Sequence, residues 1–167
     1  MHRRHFLSFS GIAAATAALP LYRALASDPA DPLTPMIEKL ELSDEEWRQR
    51  LSPEQYDILR REGTERPWTS PLNAEKRKGT YVCAGCGHAL FTSDMKYDSG
   101  TGWPSFYTTL PGAFATKRDF KLIIPRTEYH CARCGGHHGH VFNDGPRPTG
   151  QRWCNNGLAL RFVADEG

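Results

Sequence analysis

Two near-copies of one short motif constrain this chain more than any other feature: Cys83-Ala84-Gly85-Cys86-Gly87 and Cys131-Ala132-Arg133-Cys134-Gly135. Each closes a β-prone run and is followed by glycine, as a tight metal-binding turn requires. Brought together, the two turns offer four thiolates, the donor set of tetrahedral zinc. Four protein ligands leave no open position, so the expected ion is structural, one Zn2+ per chain. The 44 residues between Cys86 and Cys131 exceed the roughly 15–20 of a zinc ribbon. The site must therefore tie together distant parts of one domain. On spacing alone, two disulfides or a redox dithiol stay open as alternatives.

The N-terminus bears on that choice. Met1–Ala26 reads as a twin-arginine-type signal peptide: Arg3 and Arg4 precede apolar residues, no acid occurs, and Ala24-Leu25-Ala26 offers a small-x-small cleavage pattern. Its apolar run is too short for a membrane span; an uncleaved amphipathic N-terminus is the alternative. Such a signal implies a periplasmic protein exported folded, with metal loaded in the reducing cytoplasm, and this argues against disulfides. Without the three arginines of this segment the net charge falls from +2 to −1. A chain so balanced lacks the basic footprint of a nucleic-acid binder, a zinc-ribbon reader included.

Residues 27–41, rich in Pro and Asp, read as a linker, and 42–167 as one domain with a helical arm over 42–78 and a β core over 79–165. In the arm, Ser43 with Glu46 and Ser52-Pro53-Glu54-Gln55 form two capping boxes, predicting short helices, the second ending at Gly63. Trp47 and Leu51 share one face of the first. From Gly79 onward, the runs TYVC, ALFTS, SFYTTL, FKLIIP, TEYHC, HVF and LALRFV alternate with Gly, Pro, Asn and Asp clusters. That pattern predicts an all-β sandwich or small barrel.

With four cysteines committed to metal, the fifth, Cys154, is left alone in "QRWCNNGLALRF". A lone cysteine is often a small buried hydrophobe. Here its neighbours argue otherwise. "YDSGTGWPSF" (97–106), "HHGHVFNDGP" (137–146), "PTGQRWCNNGLALRF" (148–162) and the two knuckles together resemble the B-type methionine sulfoxide reductases, which act on the R epimer of methionine sulfoxide. The resemblance runs from about Leu42 to Val163. It implies a mainly β fold, two antiparallel sheets forming a flattened barrel behind short N-terminal helices, with a four-cysteine zinc site at Cys83, Cys86, Cys131 and Cys134.

The resemblance also implies roles. Cys154 matches the nucleophile whose thiolate attacks the sulfoxide sulfur, leaving reduced methionine and a cysteine sulfenic acid. His137 and His140 match the paired histidines that protonate the sulfoxide oxygen; an unperturbed pKa near 6.5 suits that task, and metal ligation is the alternative on sequence alone. Asn156 matches a position that orients substrate or the histidines, and Trp103 an aromatic wall for the S-methyl group, although a Trp beside Pro is as readily core. Phe142 is a further candidate for that pocket. Arg152 is the cation nearest Cys154 in sequence, and in a strand Arg152, Cys154 and Asn156 share a face while Asn155 turns away. His138 carries no role. Many family members hold a resolving cysteine where this chain has Thr101, so the sulfenic acid is expected to be recycled by an external thiol, thioredoxin-like or other. The expected substrate is oxidised methionine in proteins or peptides, and the expected state a monomer. The competing expectation is a non-catalytic zinc-binding β module for protein partners.

Overall fold

The computed structural model describes residues 37–120 and 125–166. The segment expected to be a signal peptide and most of the expected linker, with residues 121–124 of the FKLIIP run, lie outside the described residues. Two helices open the domain, α1 (Asp44–Arg50) and α2 (Pro53–Arg61). Both begin with the capping boxes expected from sequence: the Ser43 and Ser52 hydroxyls accept the Glu46 and Gln55 amides, and those two side chains reach back to the cap amides. The end of α2 differs from expectation. Glu62, not Gly63, takes the left-handed conformation (φ 58°), and the Gly63 amide donates to the Asp57 carbonyl. A Cβ at Gly63 would meet the movable Asp57 carboxylate at 2.2 Å and the Asp57 backbone at 3.2 Å, a tight contact that a small shift relieves.

Among the described residues nine strands follow: β1 (Gly79–Cys83), β2 (Ala89–Thr92), β3 (Lys96–Tyr97), β4 (Ser105–Phe106), β5 (Phe114–Asp119), β6 (Arg126–Cys131), β7 (His137–Phe142), β8 (Arg152–Asn155) and β9 (Leu160–Ala164). They form two antiparallel sheets, a three-stranded one in the order β2-β1-β9 and a six-stranded one in the order β3-β4-β8-β7-β6-β5. The fold is therefore mainly β with two antiparallel sheets and two helices, as the sequence implied. Three pieces depart from the predicted runs. Only Ser105–Phe106 of SFYTTL is strand, and LALRFV opens with a 3-10 turn, Gly157–Ala159, before β9. FATKRD forms β5, which has no alternating apolar signal because it is an edge strand whose residues 115–118 face solvent.

Aromatic side chains from both sheets build the core. Phe91 of the small sheet stacks on Phe106 of the large one at 3.8 Å between centroids, and Tyr81 meets Phe106 edge-on at 5.0 Å. Phe114, Tyr129 and Trp153 extend the cluster across the large sheet. The knuckle between β1 and β2 and the knuckle between β6 and β7 meet beneath the helices, where Trp47 and Leu59 pack against Gly85 and Leu59 against Gly136. Arg50 donates to the Gly85 carbonyl and Arg60 to that of Cys134. The helical arm thus covers the cysteine cluster.

Candidate active site and metal cluster

The four knuckle thiols converge. Cys83 and Cys134 sulfurs stand 3.7 Å apart, those of Cys86 and Cys131 3.5 Å, and all four lie within 4.8 Å of one another. Tetrahedral ligands at a Zn–S bond of 2.3 Å would be separated by about 3.8 Å. All four cysteines are buried and none is in a disulfide. Packed together, the thiols divide: hydrogen bonds from neighbouring sulfurs pull Cys86 and Cys134 below the ordinary thiol range and push Cys83 up. A buried set of four sulfur donors at this spacing fits a metal ion. His137 and His140 stand outside this cluster.

Cys154 lies 20 residues beyond the nearest other cysteine, Cys134, in the middle of a constructed face. It sits on β8 directly opposite Ser105 of β4 and His140 of β7. Opposed residues of an antiparallel pair project to the same side, so His140 and Cys154 share a face. So do Phe142 and Arg152, which are opposed one step further along, and Glu128, opposed to His140 on β6. The other face carries Tyr129, Trp153 and Asn155 into the core; the Tyr129 hydroxyl donates to the Cys154 carbonyl and to the Asn155 side-chain oxygen.

In a regular strand His137 and His140, an odd number of residues apart, would face opposite ways. A β-bulge prevents this. The β6–β7 register shifts between Tyr129, opposed to Gly139, and His130, opposed to His137, so His138 is the extra residue. The bulge returns His137 to the side of His140, with ring centroids 5.6 Å apart. It also sends His138 inward, fully buried, against Phe114 and Tyr129. Next to the bulge β7 and β8 approach so closely that a Cβ on Gly139 would lie 2.0 Å from the Cys154 carbonyl oxygen.

A cleft of about 130 Å³ opens at Cys154, lined by Thr64, Trp103, Arg126, His140, Phe142 and Asn156 among others. Among the larger hollows, two of about 470 and 540 Å³ lie along the helical arm and around Leu158 with no cysteine or histidine in their lining, and one of about 300 Å³ lies over the second knuckle, lined by His130, Cys131 and Cys134. The structure thus gathers Cys154, His140, Trp103, Phe142 and Asn156 around one cleft, with Arg152 and His137 beside it. Arg152 is held by a two-pronged ion pair with Asp144 (2.8 and 2.9 Å) while its guanidinium lies 4.3 Å over the Phe142 ring. Trp103 donates through its indole N–H to the Glu65 carbonyl. Its loop is fixed by Gly102, whose φ of +90° and whose missing Cβ, 2.8 Å from Pro67, let the chain pass against the arm.

Asn156 differs from the strand expectation. β8 ends at Asn155, and the Asn156 amide is used up on backbone: its oxygen accepts the Glu65 amide and its nitrogen donates to the His138 carbonyl. It therefore positions the bulge and the arm. Glu65 completes the clamp, its buried carboxylate accepting the Gly157 and Leu158 amides.

Electrostatics set the resting protonation. Burial raises the Cys154 pKa above 9, against the lowering effects of the Arg152 charge and of hydrogen bonds with Thr101 and Arg152. Thr101 is therefore beside the thiol. Burial likewise pulls His137 down to about 4, outweighing Glu128, and lowers His140 despite its contact with Asp119. The 6.5 assumed from sequence thus does not hold for either ring. At neutral pH the site holds a neutral thiol and two neutral imidazoles. His140 Nε2 lies 2.9 Å from an Asp119 carboxylate oxygen, which also takes Arg126 at 2.6 Å. A neutral His140 donates from Nε2 to that carboxylate, leaving Nδ1 as a proton acceptor. Sequence reading missed Asp119, Arg126, Glu128 and Asp144. Only Asp144, two residues beyond Phe142 in FNDGP, carried a local signal.

Comparison with known proteins places this geometry. Residues 51–164 match the SelR domain family. Proteins named peptide methionine sulfoxide reductase MsrB are similar over most of the domain: one of Leptospira interrogans is 55% identical over 121 residues, 72% of this chain and 92% of its own length. One of Methanosarcina barkeri is 51% identical over 128 residues (76% and 90%), and one of Agrobacterium fabrum 53% over 125 (74% and 93%). With the two-sheet fold, the four-cysteine cluster and the lone cysteine beside paired histidines already in place, the chain belongs to the SelR-domain family, the B-type peptide methionine sulfoxide reductases.

Proposed function

We propose that this chain reduces the R epimer of methionine sulfoxide in oxidised proteins or peptides, with Cys154 as nucleophile. The observation that carries the reading is the register that sets Cys154 opposite His140, with Thr101 and Arg152 at its sulfur, at the floor of a small cleft. A cleft of this size suits a single methylsulfinyl group rather than a peptide backbone. Trp103 and Phe142 are its large apolar walls and receive the S-methyl.

Protons balance within the site. A thiol and a sulfoxide become a sulfenic acid and a thioether, with no net uptake: the Cys154 S–H proton ends on the transferred oxygen. Neutral His140 takes that proton at Nδ1, and Asp119 stabilises the imidazolium that forms. The proton then passes to the sulfoxide oxygen as the methionine S–O bond breaks and a Cys154 Sγ–O bond forms, so the oxygen ends on Cys154 as S–OH and methionine leaves as the thioether. Arg152 supplies positive charge to the developing thiolate. His137, packed against His140, keeps that ring in place and offers a second donor to the oxygen. Zn2+ in the cluster of Cys83, Cys86, Cys131 and Cys134 holds the fold and takes no part in the reaction, since its four ligands leave no open position. We further assign the N-terminal segment to twin-arginine export, which puts the reductase in the periplasm as a monomer. The names of its relatives do not favour the non-catalytic binding module.

Thr101 sets the test. A sulfenic acid must be reduced before it oxidises further, and the residue beside it carries a hydroxyl, not a thiol. Intact-mass analysis after one equivalent of substrate should show one added oxygen, convertible to an adduct by a sulfenic-acid probe, with turnover restored by an external dithiol. In Thr101→Cys the oxygen should be replaced by a disulfide to Cys154. A disulfide from Cys154 to a knuckle cysteine in the native protein would contradict the recycling step.

A further inference from the structure

We propose that Glu128, His130 and His137 form a second metal site, separate from the four-cysteine cluster, for a borderline transition-metal dication such as Zn2+, Co2+ or Ni2+. One carboxylate oxygen and one nitrogen of each ring lie within 4.8 Å of one another. Glu128 Oε1 is 3.1 Å from His130 Nε2 and 2.5 Å from His137 Nδ1. Donors on a tetrahedral ion with bonds of 2.0–2.1 Å stand about 3.3 Å apart, so a small outward movement of His137 would admit the ion.

The second observation is independent of the clustering. These same three atoms, Glu128 Oε1, His130 Nε2 and His137 Nδ1, are buried without a partner in hydrogen-bond geometry. They approach one another closely but do not satisfy one another. His130 is held from its other side: Nδ1 lies 3.2 Å from the Gly135 carbonyl, which turns Nε2 toward the Glu128 carboxylate and His137. A cation held among the three atoms would give each of them a partner. The surroundings match those of metal-binding residues: the ligating imidazole is fixed by a backbone carbonyl at its other nitrogen, and the second carboxylate oxygen is held by Lys117 at 3.3 Å. Two imidazoles and one carboxylate suit Zn2+, Co2+ or Ni2+ better than Ca2+ or Mg2+, which prefer all-oxygen shells.

The fold makes the site. The bulge on β7 brings His137 to the face of Glu128, and the turn of the second knuckle supplies the Gly135 carbonyl. Occupancy would hold His137 away from the cleft, so the ion would inhibit turnover; that consequence rests on the proposed reduction, whereas binding itself does not.

Zinc-loaded full-length protein should be titrated with Co2+. The expected result is one further equivalent with weak visible ligand-field bands and no thiolate charge-transfer band, unchanged in Cys154→Ser. His130→Gln should weaken that binding about tenfold or more while keeping the circular dichroism spectrum and the basal turnover. Glu128→Gln gives a second, independent loss. Absence of the second equivalent in the native protein, a thiolate band accompanying it, or full retention in His130→Gln would overturn the proposal. Turnover with saturating Co2+ is read separately: binding without inhibition would leave the site standing and remove His137 from the proposed reaction.

Discussion

At the scale of residues, the site is governed by burial more than by formal charge. Arg152 is beside Cys154, yet desolvation wins and the thiol stays protonated. The reaction tolerates this because its proton is supplied internally. His138 shows the same force with no catalytic role. It is fully buried, neither ring nitrogen has a partner in hydrogen-bond geometry although the Asn155 amide is near, and burial with His137 alongside lowers its pKa to about 3. The unfolded chain titrates near 6.5. Between those values the unfolded state binds a proton that the folded ring does not. Stability is therefore full above pH 6.5 and falls as pH drops toward 3, with a slope reaching about 1.4 kcal/mol per pH unit. His138→Leu should remove that one-proton slope between pH 6 and 4. It should also raise stability at pH 7 by about 1–3 kcal/mol, since two unsatisfied buried nitrogens disappear. Urea unfolding of both proteins across this range measures the effect; parallel pH profiles would show that His138 does not titrate on unfolding.

Among the elements, the two knuckles do most to define the assembly. One belongs to the small sheet's β1–β2 hairpin and the other to the β6–β7 hairpin of the large sheet, so a metal ion held by the four thiols would staple sheet to sheet. The helices add Arg50 and Arg60 to the knuckle carbonyls and Leu59 to their glycines. A structural zinc contributes on the order of 10–16 kcal/mol of apparent binding energy, against a typical domain stability of about 5–15 kcal/mol. Chelation of the ion should therefore abolish the cooperative unfolding transition and the near-ultraviolet signal of the aromatic core. Zinc added back should restore both. An apo protein that keeps its transition within about 1 kcal/mol would show that the four thiols are structural without metal.

For the whole molecule, what the sequence made legible followed the range of the interactions. The capping boxes of α1 and α2 and the knuckles are local, and each could be read from a few adjacent residues. Cys154, His137, His140 and Trp103 stood out through motifs. The residues that complete the cleft did not: Asp119 reaches His140 from β5, Glu128 reaches His137 across the β6–β7 ladder, and Glu65 joins Trp103, Asn156 and the 157–159 turn from the arm. These contacts depend on register and on one bulge, and a bulge has no signature in HHGHVF beyond the odd spacing of its histidines. β5 was illegible for a different reason, because an edge strand with charged outward residues lacks alternation. The central claim joins these scales: one thiol, placed by one register, reduces one epimer. It is tested most directly by single-turnover assays on separated R and S methionine sulfoxide in a peptide, with native protein and Cys154→Ser. The account predicts one equivalent of methionine from the R epimer, none from S, and none from the folded Ser variant. Equal reduction of both epimers, or substantial reduction by Cys154→Ser, would contradict it.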